Sequence, residues 1–128
     1  MRVLLDTHVL LWLRREPKRL SKRVANLLAD QKHDCFVSAI SAWEIGNKQR
    51  IGKLDFSSVF LDDFAANIRE LGFEPLNLTP EHAIAGARLP GEHNDPFDRL
   101  LAGTAAWERL KLVTADQAFD LLGVETVW

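Results

Sequence analysis

Short apolar runs alternate along this chain with stretches whose apolar residues recur every three or four positions, and that alternation leaves few folds open. Val3 to Leu5, Cys35 to Val37, Phe73 to Leu78, Leu112 to Thr114 and Val124 to Trp128 read as buried strands. Between them, Val9 to Leu13 reads as a helix that Pro17 stops, and Ser21 caps a helix running to about Lys32. Ser41 opens a helix to about Arg50, and Gly52 breaks it. Ser57 or Ser58 starts a helix carrying Phe60, Leu61, Phe64, Ile68 and Leu71 at helical spacing, ended by Gly72. Thr79-Pro80 is a helix start and Pro90-Gly91 its end, with Glu92-His93-Asn94 a polar loop. Asp95-Pro96 begins the last long helix, through Leu100, Leu101 and Ala105 to about Arg109. Short apolar strands separated by helices predict an α/β fold with a parallel sheet covered on both faces.

A chain of 128 residues suits one domain, predicted to span 1–128, with enough buried surface to fold without disulfides. The lone Cys35 sits in an apolar run and reads as a small core residue. The N-terminus carries no signal-peptide pattern, and no apolar stretch approaches the length of a membrane span. A soluble, cytoplasmic protein with no membrane partner is therefore expected. The net charge of −2 does not by itself advertise a nucleic-acid partner. Arg14, Arg15, Lys18, Arg19, Lys22 and Arg23 nevertheless cluster, as do Lys48, Arg50 and Lys53. Such clusters serve either as phosphate contacts or as a solvated helix face.

Taken singly, the acids have structural explanations. Asp6, Asp95 and Asp116 can each cap a helix, Ser41 to Glu44 matches a capping box, and Asp98 is a favourable first-turn acid. Their joint placement says more. Asp6 follows the first strand, Asp116 follows the fourth, and Glu44 lies a turn into the helix after the second. Asp98 starts a helix that feeds the fourth strand, so that helix runs antiparallel to the strands. All four acids thus converge on the carboxyl rim of the sheet, where open α/β sheets bind ligands. Clustered carboxylates raise one another's pKa, and a cation relieves the repulsion. An all-oxygen donor set suits Mg2+ or Mn2+ better than zinc, and such a site suits phosphoryl chemistry. His8 and His93 lie beside acids and read as loop or structural residues. Trp12, Trp43, Phe60 and Phe64 serve either core or interface, with core favoured.

Val3-Leu4-Leu5-Asp6-Thr7-His8, Ser41-Ala42-Trp43-Glu44-Ile45, Asp95-Pro96-Phe97-Asp98-Arg99-Leu100-Leu101 and Leu112-Val113-Thr114-Ala115-Asp116 resemble, in order, the acidic motifs of PIN domains. The resemblance is strongest to the VapC-type toxins of toxin–antitoxin pairs. It implies a five-stranded parallel sheet in the order 3-2-1-4-5 and Mg2+- or Mn2+-dependent cleavage of RNA phosphodiester bonds. By motif position, Asp6 and Asp98 would be the principal metal ligands, with Glu44 and Asp116 completing the catalytic set directly or through water. Asp95 would be an outer member, Thr7 and Thr114 hydroxyls that orient the carboxylates, and Arg99 a contact to phosphate or to an acidic neighbour. A homodimer and a cognate antitoxin that blocks the active site are also implied. Two other readings compete. One is a non-catalytic RNA-binding module. The other is a phosphatase of the haloacid-dehalogenase type, which needs a second acid where this chain has His8.

Overall fold

The computed structural model describes residues 1–128 and contains a five-stranded sheet ordered β3-β2-β1-β4-β5. The strands are β1 (Arg2–Leu5), β2 (Asp34–Ser38), β3 (Glu74–Leu76), β4 (Lys111–Val113) and β5 (Thr126–Val127), and every pairing is parallel. The α/β class and the strand order are as expected. β1 lies in the middle, and Val3, Leu4 and Leu5 are fully buried. Strand alternation sends Val3 and Leu5 into one core and Leu4 into another.

The first core packs α1 (Thr7–Arg15), α2 (Lys22–Ala29), α4 (Ser58–Asp62) and α5 (Phe64–Glu70) on one face of the sheet. The second packs α7 (Pro96–Glu108) and the 3-10 turn of Gln117–Leu122 on the other, with α6 (Pro80–Arg88) outside α7. α3 (Ala39–Arg50) bridges the two, giving Ile40 to the second core and Ile45 to the first. Covering both faces explains why the central strands carry continuous apolar runs. No helix is long and apolar enough to cross a membrane.

The capping side chains account for most helix starts. Ser21, Ser57, Thr79 and Asp95 each accept a backbone N–H of the first turn, as expected. The expected start at Ser41 needs correction. The cap is Ser38, which accepts from Ile40 N at 3.0 Å, and α3 opens directly out of β2. The expected Ser57–Leu71 helix also divides in two at Asp63, whose φ of −134° and ψ of 55° are not helical. Asn67 Nδ2 donates to Phe60 O across this break at 3.0 Å. α2 ends at Ala29, short of Lys32.

Two residues of the first basic cluster cover aromatic rings. The Arg14 guanidinium lies 4.7 Å over the Phe60 ring and that of Arg19 lies 4.3 Å over Trp12. Cys35 is buried, and burial pushes its thiol up to about 11, so it is an inert core residue.

Candidate active site

The chain reverses its direction of winding at β1. From there it moves outward to β2 and β3 on one side and, later, to β4 and β5 on the other. The crevice at the carboxyl ends of β1 and β4 is therefore a topological switch point. Asp6 and Asp116 stand there, one directly after each strand or its following turn. Glu44 enters from the second turn of α3, and Asp98 from the first turn of α7. These four acids, with Asp95, line one cleft of about 290 Å³.

Each carboxylate is held by a different local device. The Thr114 hydroxyl donates to Asp6 Oδ2 at 2.9 Å and accepts from Asp116 N at 3.0 Å, so it ties the ends of β1 and β4 together. The Thr7 hydroxyl donates to Glu44 Oε1 at 2.8 Å. Its single proton is thereby used, so the 2.8 Å contact to Ser41 is a bond donated by the Ser41 hydroxyl. The capping box expected of Ser41 and Glu44 is therefore absent. Ser41 is fully buried inside α3, and Glu44 turns to Thr7 and the cleft. Asp116 caps the 3-10 turn by accepting from Ala118 N, and Asp95 caps α7 by accepting from Phe97 N and Asp98 N.

His93 sits in the loop before α7, in keeping with the expected loop or structural role. It also reaches back to the site, with Nε2 2.7 Å from Asp98 Oδ2. His8 N approaches Asp6 Oδ1 at 3.4 Å while its ring nitrogen stands 3.7 Å from the same oxygen. Lys48 also lines the cleft, one helical turn beyond Glu44. That spacing was visible in the sequence, whereas the His93 contact depends on a loop return that no periodicity encodes.

Arg99 requires a correction. It contacts no acid. Nε donates to His93 O at 2.7 Å, Nη1 to Gly86 O and Leu89 O at 3.0 Å, and Nη2 to Gly91 O at 2.8 Å. Its guanidinium is committed to stitching the α6–α7 loop onto α7. Among the aromatics, Phe60 is buried, while Trp43 is exposed at the cleft and departs from the core reading.

The electrostatics are those of a crowded acidic pocket. Burial raises Glu44 above the ordinary carboxylate range, and the charges of Asp6 and Asp98 push the same way. Burial likewise raises Asp98, with Asp95 and Asp6 adding to it and the His93 bond opposing. His8 is raised by its bond to Asp6. A raised folded-state pKa gives stability that is full below the unfolded value and is lost as pH rises through the folded one. All three groups act in this sense. Chelator-treated protein is therefore expected to melt at higher temperature near pH 5 than near pH 8, and a calorimetric melt that rises over this interval would contradict it.

No three His, Cys, Asp or Glu side chains stand close enough to form a ligand cage around one ion. The donors are instead spread around an open cleft. Magnesium commonly binds in this manner, taking one or two carboxylates directly and keeping several waters. The all-oxygen donors and the repulsion felt by Glu44 and Asp98 fit a hard divalent cation. A larger cavity of about 680 Å³ lies at the opposite end of the sheet. Its one carboxylate, Glu125, is already paired with Lys111 at 3.2 Å, so it offers no comparable chemistry.

Comparison with known proteins gives a consistent result. Residues 3–125 match the PIN domain family. Ribonuclease VapC22 of Mycobacterium tuberculosis (strain ATCC 25618 / H37Rv) is 33% identical over 119 residues, which cover 90% of this chain and 87% of that protein. VapBC2 from Rickettsia felis, crystallised bound to a DNA fragment from its promoter, superposes with a TM-score of 0.70 at 17% identity, covering 99% of this chain and 98% of its counterpart. FitAcB from Neisseria gonorrhoeae superposes with a TM-score of 0.67 at 21% identity, covering 100% of this chain and 97% of its counterpart.

Proposed function

The chain belongs to the PIN-domain family, and from that premise we propose that it is a ribonuclease of the VapC type, the toxin member of a toxin–antitoxin pair. The observation that carries the reading is the single cleft that Asp6, Glu44, Asp98 and Asp116 line, each delivered by a different element of a PIN fold. A haloacid-dehalogenase phosphatase is excluded by the family match, and His8 stands where its second acid would be needed.

In this reading RNA is the substrate and the four acids are the catalytic set, with Asp6 and Asp98 the principal ligands of Mg2+ or Mn2+. Glu44 and Asp116 would complete the site, directly or through water. When bound, the cation supplies Lewis-acid activation of water and neutralises charge on the phosphate. The chain's own contribution is orientation. Thr114 fixes the Asp6 carboxylate and Thr7 fixes that of Glu44, so neither must give up rotamer freedom when the substrate arrives. Asp95 stays at the rim as the cap that presents Asp98. Lys48 places a positive charge beside Glu44, in a cleft to which five carboxylates would otherwise give a field that repels a phosphate. A homodimer, a cognate antitoxin that covers the cleft and a cytoplasmic location complete the proposal. The partner is supported by the toxin–antitoxin complexes among the structural neighbours.

Hydrolysis of a phosphodiester by water needs no help from the RNA 2′-hydroxyl. End-labelled RNA incubated with the protein and Mg2+ or Mn2+ should yield fragments with 5′-phosphate and 3′-hydroxyl ends, and chelator should stop the reaction. Cyclic-phosphate ends, or cleavage that persists in chelator, would sink the mechanism.

A further inference from the structure

Trp43 immediately precedes Glu44, yet it is 54% exposed. Its indole stacks on the Phe97 ring with centroids 4.8 Å apart and planes 22° from parallel. Both rings line the acidic cleft. The same two rings also wall an apolar pocket of about 250 Å³ with Ile40, Leu78 and Leu100. The acids and the apolar pocket therefore share one aromatic boundary. Farther along α3, Asn47 and Arg50 share a surface depression with Trp43, and Arg50 Nη2 donates to Asn47 Oδ1 at 2.6 Å. The helical rise sets Arg50 roughly 10 Å along the axis from Trp43. A path leaving the acids thus meets an aromatic face and then a cation. Proteins hold single-stranded nucleic acids by this pairing of stacking surface and backbone charge.

We propose that Trp43, backed by Phe97, is the stacking platform for an unpaired RNA base beside the phosphate being cut, and that Arg50 contacts a phosphate farther along the strand. The inference rests on the ribonuclease reading above. RNA is favoured over a second copy of the chain for two reasons. The ledge is continuous with the cleft that must hold the scissile phosphate, and its flanks carry Lys48 and Arg50, which complement a polyanion. Lysine, glutamate and aspartate are depleted at protein–protein interfaces, and Lys48, Glu44 and four aspartates line the cleft that this ledge borders. Apart from the Trp43 indole N–H, the apolar pocket walls carry no hydrogen-bonding side chain, so the platform takes a base mainly by its face and discriminates little among the four.

The test uses a short single-stranded RNA that the wild type cleaves, with binding read by fluorescence anisotropy in the Asp98→Asn background. Trp43→Ala should weaken binding about ten-fold, the scale of one lost base–aromatic stack. Trp43→Phe should recover most of that loss. An abasic nucleotide beside the cut should cost the Asp98→Asn protein as much as adding Trp43→Ala does, and the two losses together should not multiply. Unchanged affinity in Trp43→Ala, or fully multiplicative losses, overturns the proposal. So does conversion of a dimer to a monomer in sedimentation with RNA affinity intact, which would make the ledge a self-association surface. Failure of the wild type to cut any RNA with either metal would instead reject the ribonuclease reading.

Discussion

Asp98→Asn is expected to reduce RNA cleavage by at least about 10²–10³-fold, the scale of losing an electrostatic anchor of the transition state, while the fold remains intact. The expectation of an intact fold follows from the local structure. Asp95, not Asp98, caps α7, so the helix start survives the substitution. Asparagine keeps the shape of the side chain and an oxygen that can accept from His93, whose Nε2 stands 2.7 Å from the native carboxylate. The variant also removes a charge that burial, Asp95 and Asp6 all disfavour. Its melting temperature without metal should therefore equal or exceed that of the wild type. Activity and stability move in opposite directions, which separates a catalytic role from a structural one. Cleavage within a few-fold of wild type, in chelated and metal-restored assays, would remove Asp98 from the site.

Gly103→Ala is expected to lower stability by about 3 kcal/mol, the upper part of the range for overpacking. For a chain of this size that corresponds to a melting temperature lower by roughly 10–15 °C. A Cβ on Gly103 would fall on the backbone of Gly86 and 2.7 Å from His82 O. Gly86 in turn faces the Arg99 carbonyl, so the two helices touch through backbone on both sides. Relaxation by separating α6 from α7 is opposed by Arg99, which binds the Gly86, Leu89 and Gly91 carbonyls. The sign is informative because alanine in a helix interior is otherwise better than glycine by up to about 1 kcal/mol. Gly46, inside α3, supplies the control. A Cβ there meets nothing within 4 Å, so Gly46→Ala should stabilise the chain. Thermal melts of the two variants decide the matter, and equal effects would reject the close-packing account.

Much of this architecture was legible because it depends on local rules. Val3 to Leu5 carries a continuous apolar run because β1 is covered on both faces, and Thr79-Pro80 and Asp95-Pro96 announce their helices by cap and proline together. Parallel topology then carries Asp6, Glu44, Asp98 and Asp116 to one rim without any knowledge of side-chain contacts. What was not legible depends on tertiary partners. Ser38 and Ser41 are equally good caps by type, and only the approach of Thr7 decides that Ser41 lies inside the helix. The break at Asp63 is invisible because apolar periodicity reports which face is buried, not whether the helix is continuous. Arg99 misled for a related reason. A guanidinium beside an acid in sequence suggests an ion pair, but the free carbonyls of a folded-back loop satisfied it first.

The acids of the cleft also differ in what else they hold, and that difference shapes how such a site can decay over evolutionary time. Asp6, Asp95 and Asp116 each cap a helical turn, whereas Glu44 and Asp98 cap nothing and sit under electrostatic strain. Once selection for cleavage is relaxed, the capping positions remain under selection for folding and are confined to residues such as asparagine or serine. Glu44 and Asp98 are free of that second constraint. In a lineage retaining the fold for another purpose, these two positions would be the first to fill with uncharged residues. A sequence lacking acids only there would be a well-folded descendant, not a damaged one.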